Sequence, residues 1–263
     1  MKRHDADAAG DPELLANKAE LRQRVWDAMV AARVARFPGA QGRIPNFVGA
    51  ERAARRLRDE DIWRAARTLK CNPDSPQLPV RVAALEDQKL VYMAVPRLAA
   101  EQPFFLLDPA HLPGTPRASA SIRGASRAAR KVRLDELAPV DLVIAGSVAV
   151  SEDGARLGKG GGYSDLELAL ATEAGLVGAH TRIATTVHDV QVLAPGEIPT
   201  TAHDIALDLI VTPERVIHCA HRRARATIRW DELSEEKIAA IPLLAGARRL
   251  DGARQKWSSR IEK

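Results

Sequence analysis

The feature that most constrains the fold is an apolar run, residues 140–150, joined closely to a glycine-rich segment. The run reads VDLVIAGSVAV, and such near-continuous apolar runs are typical of strands buried on both faces of a parallel sheet. The segment 153–165 follows it, reads DGARLGKGGGYSD and leads into a predicted helix over 165–174. A buried strand, a glycine loop and a helix in this order indicate an α/β protein.

The rest of the chain extends this pattern on both sides of the central run. Helical spacing predicts helices over 11–36 and 50–67, and apolar runs predict strands over 80–85, 90–95, 181–187 and 207–211. Residues 102–121, rich in proline and small residues, are expected to form either a long loop or an excursion around an active site. We therefore predict a three-layer α/β/α sandwich with a mainly parallel sheet over residues 1–225, and a C-terminal extension, 226–263, packed on it.

Composition excludes several classes of protein. The chain has 263 residues but only two cysteines, Cys71 and Cys219, which rules out a disulfide framework and a four-thiolate zinc site. It has no apolar run long enough to span a membrane, and its polar start, MKRHDADAAGDPE, lacks the apolar core of a signal peptide, so we expect a cytoplasmic protein. The net charge of +5 is modest and aromatics are only 4%, which argues against a nucleic-acid-binding surface.

The glycine-rich segment has the composition of a phosphate-binding loop. Gly158 and Gly160 to Gly162 let backbone N–H groups approach anionic oxygens, and the helix that follows offers its N-terminal amides to the same anion. Arg156 and Lys159 add positive charges, and an arginine can bind phosphate through two nitrogens. The spacing is neither that of the P-loop nor that of the dinucleotide-binding glycine motif. A flexible glycine turn between strand and helix is the alternative.

The motif resembles the signature of the 5-formyltetrahydrofolate cyclo-ligase (methenyltetrahydrofolate synthetase) family, which reads roughly D-x-x-G-x-R-L-G-x-G-x-G-Y-Y-D. Three further segments resemble that family: Lys18 and Arg22 in a Lys-x-x-x-Arg pattern, the strand ending Val95-Pro96-Arg97, and residues 199–212, PTTAHDIALDLIVT. The resemblance runs from about residue 15 to 217. It is closer to the methenyltetrahydrofolate synthetase domain-containing subgroup, whose pattern DLVxxGSVAVS…GKGxGxxDLE matches residues 141–151 and 158–167, with further similarity at 43–47 and 96–98.

This resemblance implies a cyclo-ligase-like fold of the NagB/RpiA-like type and an ATP-dependent ligase. Members use MgATP to activate the formyl oxygen of 5-formyltetrahydrofolate, and N10 then closes the ring to give 5,10-methenyltetrahydrofolate, ADP and phosphate. It implies a reduced folate as small-molecule partner, no membrane partner, and a monomer or homodimer.

The resemblance also implies the site residues. Arg156, Lys159 and Asp165 would be catalytic, and Asp165 and Asp208 would hold Mg²⁺. The residues implied to bind ATP are Lys18, Arg22, Arg156, Gly158, Lys159, Gly160, Gly161, Gly162 and Tyr163.

Several of these residues have a plainer interpretation. Lys18 and Arg22 lie on one face of a helix, and that face could simply be solvated. Asp165 could cap a helix, and Tyr163 could cover the loop instead of contacting a folate. Asp208 lies inside an apolar strand, where an unpaired carboxylate is costly, so a partner or a metal is expected. His203-Asp204 and His188-Asp189 could be metal ligands or hydrogen-bonded loop pairs.

The sequence departs from the family pattern on its folate side. Ser164 replaces the second tyrosine of Tyr-Tyr-Asp, and residues 145–151 lack the family's Phe and Asp. The acidic segment expected in the first half is not found, because the corresponding stretch is basic (ERAARRLR). Two alternative functions follow: an ATP-dependent ligase-type enzyme acting on another substrate, and a non-catalytic nucleotide- or RNA-binding protein on the same fold.

Overall fold

A computed structural model of the chain describes residues 12–95, 102–201, 204–220, 228, 230, 233–245 and 248. Its helices are α1 (Pro12–Ala31), α2 (Ala50–Arg58), α3 (Asp61–Ala65), α4 (Leu78–Glu86), α5 (Pro116–Ser119), α6 (Ile122–Ala128), α7 (Tyr163–Glu173) and α8 (Glu235–Ala240). Its strands are β1 (Ala35–Arg36), β2 (Asn46–Phe47), β3 (Thr68–Cys71), β4 (Leu90–Ala94), β5 (Phe104–Leu107), β6 (Arg130–Val132), β7 (Leu142–Ile144), β8 (Ala149–Ser151), β9 (Arg156–Leu157), β10 (Arg182–Thr186), β11 (Val192–Leu193), β12 (Leu209–Val211) and β13 (Val216–His218).

Eight strands form the central sheet, in the order β13-β12-β10-β7-β3-β4-β5-β6. The five strands from β12 to β4 are parallel to one another, whereas β13 and β5 pair antiparallel at the two sides. A smaller sheet, β11-β8-β9, carries the hairpin that precedes the glycine loop. The predicted α/β architecture with a mainly parallel sheet is confirmed.

Helices cover both faces of the central sheet because side chains alternate along its strands. Leu142, Ile144 and Ala184 point to a core shared with α1, α2 and α4. Their neighbours Val143 and Ile183 point to a second core shared with Leu168 and Ala171 of α7. The fold therefore has three layers, with the sheet in the middle.

A third apolar cluster joins α7 to the C-terminal part of the chain. Leu166 and Leu170 of α7 pack against Ile228, Ile238, Ile241 and Leu244. The described part of the extension thus lies against the helix that follows the glycine loop. The predicted boundary at 225/226 lies outside the described residues and stays a prediction. Every helix of the described ranges is too short or too polar to cross a lipid bilayer.

Two strand predictions need correction. Residues 80–85 belong to α4, because Pro79 favours the first turn of a helix and the apolar run that follows is buried among helices as well as against the sheet. The run 140–150 is divided into β7 and β8, because the chain leaves the central sheet at Gly146 and enters the smaller one. Short apolar runs do not distinguish these cases by periodicity alone.

Other predicted boundaries were too coarse. The helix expected over 50–67 is interrupted at Asp59 and Glu60, between α2 and α3. The long loop expected over 102–121 contains β5 and α5, and β5 is an apolar strand with the sequence FFLL. The strands predicted over 181–187 and 207–211 are present as β10 and β12.

Gly124 offers a test of helix packing in this fold. Helix α6 approaches α5 so closely that a Cβ on Gly124 would lie 1.8 Å from the carbonyl oxygen of Ala118. Since that atom is backbone, Gly124→Ala should lower the free energy of unfolding by roughly 1–3 kcal/mol, measured by urea denaturation. Gly178→Ala is the matched control, because no atom lies within 4 Å of its new methyl group. Equal midpoints for the two variants would contradict this packing.

Candidate functional site

The glycine loop, residues 158–162, connects β9 to the N-terminus of α7. Gly160 and Gly162 have φ angles of 107° and 65°, in the left-handed region that favours glycine. Gly160, Gly161 and Gly162 are exposed, so their backbone amides are open to an incoming group. The loop thus ends at a helix N-terminus whose unpaired amides and dipole favour an anion.

Arg22 of α1 contacts this loop, and Lys18 of the same helix binds Asp204. The Nε of Arg22 donates to the carbonyl oxygen of Gly158 at 2.7 Å, and its guanidinium carbon would lie 3.6 Å from a Cβ on Gly160. The Nζ of Lys18 lies 2.7 Å from Oδ2 of Asp204, and both of these side chains are largely buried. The solvated helix face considered as an alternative therefore does not describe Lys18 and Arg22.

Charges of both signs surround Arg22. Burial lowers the pKa of its guanidinium and Arg156 acts in the same direction, whereas the carboxylates of Asp204 and Asp165 raise that pKa. An arginine remains protonated under such conditions, so the loop faces a fixed positive charge. This charge is compensated in part within the protein and leaves room for an anionic ligand.

Arg156 is held by contacts within the protein. Its guanidinium is buried and donates through Nη1 to the carbonyl oxygen of Gly146 at 2.6 Å and through Nη2 to Oδ1 of Asp165 at 2.8 Å. Both terminal nitrogens already donate to protein oxygens, and the expected two-nitrogen contact with phosphate stays a prediction. Arg156 also lies against Gly158, where a Cβ would be 3.1 Å from Nη1.

Asp165 is held by two donors on the same oxygen. Its Oδ1 accepts from Arg156 and from the backbone N–H of Ile205 at 3.1 Å. Its Oδ2 has no hydrogen-bond partner within the described residues. Asp165 therefore joins the strand, the helix and the 204–207 segment, and it keeps one carboxylate oxygen for another ligand.

The predicted pair of metal ligands, Asp165 and Asp208, is not assembled. Asp208 lies level with Ile183 at the amino end of β12, and its Oδ2 accepts from the Ile183 backbone N–H at 2.7 Å. Its Oδ1 lies 3.7 Å from Arg182. Asp165 lies at the opposite, carboxyl end of the parallel strands, beside Arg156 and Gly146. The protein partner expected for a buried carboxylate is therefore present for Asp208, and the metal is not needed to explain it.

Lys159 and Tyr163 flank the loop on its outer side. Lys159 is exposed, so its ammonium is accessible to a ligand. The ring of Tyr163 would lie 3.0 Å from a Cβ on Gly161, and the ring also packs on the α7 apolar cluster. Tyr163 thus lies against the glycine loop, and its implied part in binding ATP stays a prediction.

The histidine–aspartate pairs show no metal centre. Asp204 binds Lys18 and the backbone N–H of Thr201, whereas His203 lies outside the described residues. His188 accepts the Val190 backbone N–H through Nδ1, and Asp189 accepts the Thr212 hydroxyl. Across the described chain, no three His, Cys, Asp or Glu side chains form a group that could hold a metal ion.

The turn after β3 supplies a carboxylate that sequence reasoning missed. Asp74 lies so close to the loop after β7 that its Oδ2 would be 2.9 Å from a Cβ on Gly146. Burial raises the pKa of Asp74, while Lys159 and then Arg81 oppose that rise. The sequence signal for it is an aspartate three residues after the end of a buried parallel strand, and not an acid in the stretch ERAARRLR.

Arg81 of α4 fixes the position of this turn through hydrogen bonds to its backbone. Its buried guanidinium donates to the backbone carbonyl oxygens of Asn72 at 2.6 Å and of Pro73 and Asp74 at 3.2 Å. Its Nε donates to the carbonyl oxygen of Ala120 at 2.8 Å. The turn is therefore anchored to the 113–121 segment through one side chain.

The Lys18–Asp204 pair gives a pH-dependent prediction. Burial alone would raise the pKa of Asp204, but hydrogen bonds from Lys18 and Thr201 bring the pKa below its usual value of 3.8. A lowered pKa stabilises the fold above 3.8, and this stabilisation is lost as the pH falls through the lowered pKa. Lys18→Met should therefore cost about 1.5–3 kcal/mol at neutral pH.

The measurement is urea denaturation of wild type and variant at neutral pH and at a pH below 3.8, where the difference should shrink. Arg24→Met is the matched control on the same helix, because the Arg24–Glu197 pair is exposed and should contribute less than about 1 kcal/mol. A cost for Lys18→Met that does not change with pH would show that the ion pair does not stabilise the fold.

Comparisons with known proteins identify the family of the chain. The model of the 5-formyltetrahydrofolate cyclo-ligase family matches residues 15–213. The methenyltetrahydrofolate synthase domain-containing protein of Bos taurus is 39% identical over 244 residues, which cover 90% of this chain and 63% of the relative. Its Mus musculus counterpart is 40% identical over 238 residues, covering 88% and 63% respectively. The chain thus spans somewhat less than two thirds of the length of these relatives.

A solved structure shows the same fold. The NMR structure of Aquifex aeolicus 5,10-methenyltetrahydrofolate synthetase superimposes with a TM-score of 0.51 over 79% of this chain and 95% of that chain, at 18% sequence identity. At this identity the likeness concerns the fold alone. The extent of the family match, together with the two relatives, shows that this chain belongs to the 5-formyltetrahydrofolate cyclo-ligase family.

Proposed function

We propose that the chain is an ATP-dependent ligase that converts 5-formyltetrahydrofolate to 5,10-methenyltetrahydrofolate, with ADP and phosphate as the other products. The observation that carries this proposal is the contact of Arg22 with Gly158, which brings a cation of the first helix to the glycine loop. The family supports an ATP-dependent cyclising ligase in general. The exposed glycines and the nearby cations support the part of that reaction in which the phosphates of ATP are bound.

The triphosphate would lie over the exposed glycines and the N-terminus of α7. Backbone amides of Gly160, Gly161 and Gly162 would donate to phosphate oxygens, and Lys159 and Arg22 would neutralise the charge. Phosphoryl transfer depends chiefly on positioning and charge neutralisation, which is what such a set of donors supplies. Lys18 and Arg156 would support the site by holding Asp204 and Asp165 in place.

The reaction needs little covalent chemistry from the protein. Transfer of the terminal phosphoryl group of ATP to the formyl oxygen makes that oxygen a leaving group, and attack by N10 closes the ring as phosphate departs. The task of the chain is therefore to hold the formyl oxygen next to the phosphate-binding loop. The turn bearing Asp74 lies beside Gly146 and close enough to Lys159 for the two charges to interact, and we place the folate there.

The donor set fits a magnesium ion that is carried mainly by the nucleotide. Magnesium keeps several waters and binds through one or two carboxylates together with substrate phosphates, so a protein-built group of three ligands is not required. Oδ2 of Asp165 is the carboxylate oxygen that would hold it, and the ion would neutralise phosphate charge. A cytoplasmic location and a monomeric or homodimeric state stay predictions.

The decisive experiment is to incubate the protein with MgATP and 5-formyltetrahydrofolate and to follow the absorbance of the methenyl product. We expect ATP-dependent formation of that product. Absence of product at high enzyme concentration, with ATP binding intact, would contradict the folate assignment and favour another substrate at the same nucleotide site.

Lys159→Met tests the phosphate-binding role within the same assay. Since Lys159 is exposed, its replacement should leave the fold intact but lower kcat/KM for ATP by roughly 10- to 150-fold, the loss expected from one charge-assisted hydrogen bond. Lys131→Met is the matched control, because Lys131 is an exposed lysine on edge strand β6. Equal kinetics for the two variants would exclude Lys159 from the nucleotide site.

A further inference from the structure

A buried ion pair joins β3 to α7, the helix that follows the glycine loop, and has no part in the proposed phosphate contacts. Lys70 is in the middle of β3, and its Nζ lies 2.9 Å from Oε1 of Glu167 on α7. The two side chains are only 3% and 5% exposed. A buried pair of this kind rarely stabilises a fold more than apolar residues would, which suggests that the charges serve another purpose.

The ammonium of Lys70 also determines the orientation of a neighbouring amide. Its Nζ donates to Oδ1 of Asn72 at 3.3 Å. An ammonium has donors and no acceptor, so the oxygen of the Asn72 amide must face Lys70. The NH₂ group of Asn72 therefore points in the opposite direction, toward α7.

Ser164 is the next residue in this chain of hydrogen bonds. The Nδ2 of Asn72 donates to Oγ of Ser164 at 2.7 Å. Because the oxygen of Ser164 accepts this bond, its own hydroxyl proton is directed elsewhere. Among the described residues Asn72 is the one hydrogen-bond partner of the Ser164 side chain, so that proton has no protein acceptor.

We propose that Ser164 determines substrate specificity, because the relay from Lys70 through Asn72 makes its hydroxyl a hydrogen-bond donor to an acceptor atom of the reduced folate. This inference rests on the proposed function. In the family pattern this position is a tyrosine, so the chain presents a short donor of fixed direction where a ring is expected. In this relay, the hydrogen bonds from Lys70 to Asn72 and from Asn72 to Ser164, each group donates to the next. The ammonium of Lys70 sets that direction, and Ser164 is the last member.

The direction of the relay favours the folate over ATP. Arg22 of α1 faces the glycine loop, whereas Asn72 approaches from the carboxyl end of β3. Asp74, two residues further along, places a carboxylate beside Gly146, where Lys159 opposes the effect of burial on the Asp74 pKa. A carboxylate repels a triphosphate, so we assign the acceptor that meets Ser164 to the other substrate.

Asn72→Asp is the sharpest test. It conserves the size of the side chain but reverses the direction of the hydrogen bond between residue 72 and Ser164. An aspartate accepts from Lys70 and also from Ser164, so the serine hydroxyl turns inward and no longer offers a donor. We expect KM for 5-formyltetrahydrofolate to rise roughly three- to tenfold, as for loss of one hydrogen bond, with KM for ATP unchanged. A purely structural role for Asn72 predicts no such separation of the two KM values.

Further variants separate the relay from a general effect of charge. Ser164→Ala should show the same rise in KM, and Ser164→Thr should restore the wild-type value because it retains the hydroxyl. Combining Asn72→Asp with Ser164→Ala should add little to Ser164→Ala alone, since both remove the same donor. Ser126→Ala is the matched control, because the Ser126 hydroxyl is exposed and donates only to the Arg123 carbonyl oxygen of its own helix.

Thermal unfolding first identifies the variants that fold, and only these are compared. Each kinetic outcome then supports or overturns the inference. An unchanged KM for the folate in folded Asn72→Asp and Ser164→Ala, a change in KM for ATP instead, or additive losses in the double variant would each overturn it. Equilibrium binding of 5-formyltetrahydrofolate is measured alongside turnover. Wild type that binds the folate without turnover contradicts the proposed function, and weaker binding by Ser164→Ala then still supports the relay. Wild type that binds no folate overturns both.

Discussion

The site depends on one buried guanidinium. Arg156 extends from β9 and donates at the same time to the loop after β7, through Gly146, and to the first turn of α7, through Asp165. Asp165 in turn accepts the backbone N–H of Ile205, which joins a fourth segment to the same point. Since a buried arginine that loses its acceptors is strongly destabilising, these segments must stay together for the protein to fold. The glycine loop lies between Arg156 and Asp165 in the sequence, so the contacts of these two residues fix the position of both of its ends.

The chemistry of the site is divided between two sides of that loop. On one side, Arg22 of α1 supplies positive charge and the glycines supply backbone donors, and Lys159 acts on Asp74 across the loop. On the other, the turn after β3 supplies Asn72 and Asp74, held in place by Arg81. Cations and amides suit phosphate oxygens, whereas a carboxylate and an oriented hydroxyl suit a neutral heterocycle with donors and acceptors. In the proposed function, ATP and the folate would therefore occupy distinct places beside one loop.

Sequence patterns predicted the layers of the fold more reliably than its individual elements. The alternation of apolar runs and helices was enough for a mainly parallel sheet, and β10 and β12 appear where expected. The run 80–85 was misassigned because a helix buried on most of its surface has no polar face and so shows no helical period. Similarly, the run 140–150 is apolar in both β7 and β8, and hydrophobicity does not mark the point where a chain passes from one sheet to another.

The sequence by itself determined the local character of the site: a glycine loop before a helix, with Lys18 and Arg22 four residues apart on an earlier helix. These properties are local, because backbone freedom and helical spacing depend on neighbours along the chain. Only the tertiary structure decided which charges meet. It paired Arg156 with Asp165 and Lys18 with Asp204, and it separated Asp208 from Asp165 by placing them at opposite ends of the parallel strands. Pairings between residues up to 186 positions apart are set by how strands and helices stack, which no local pattern records.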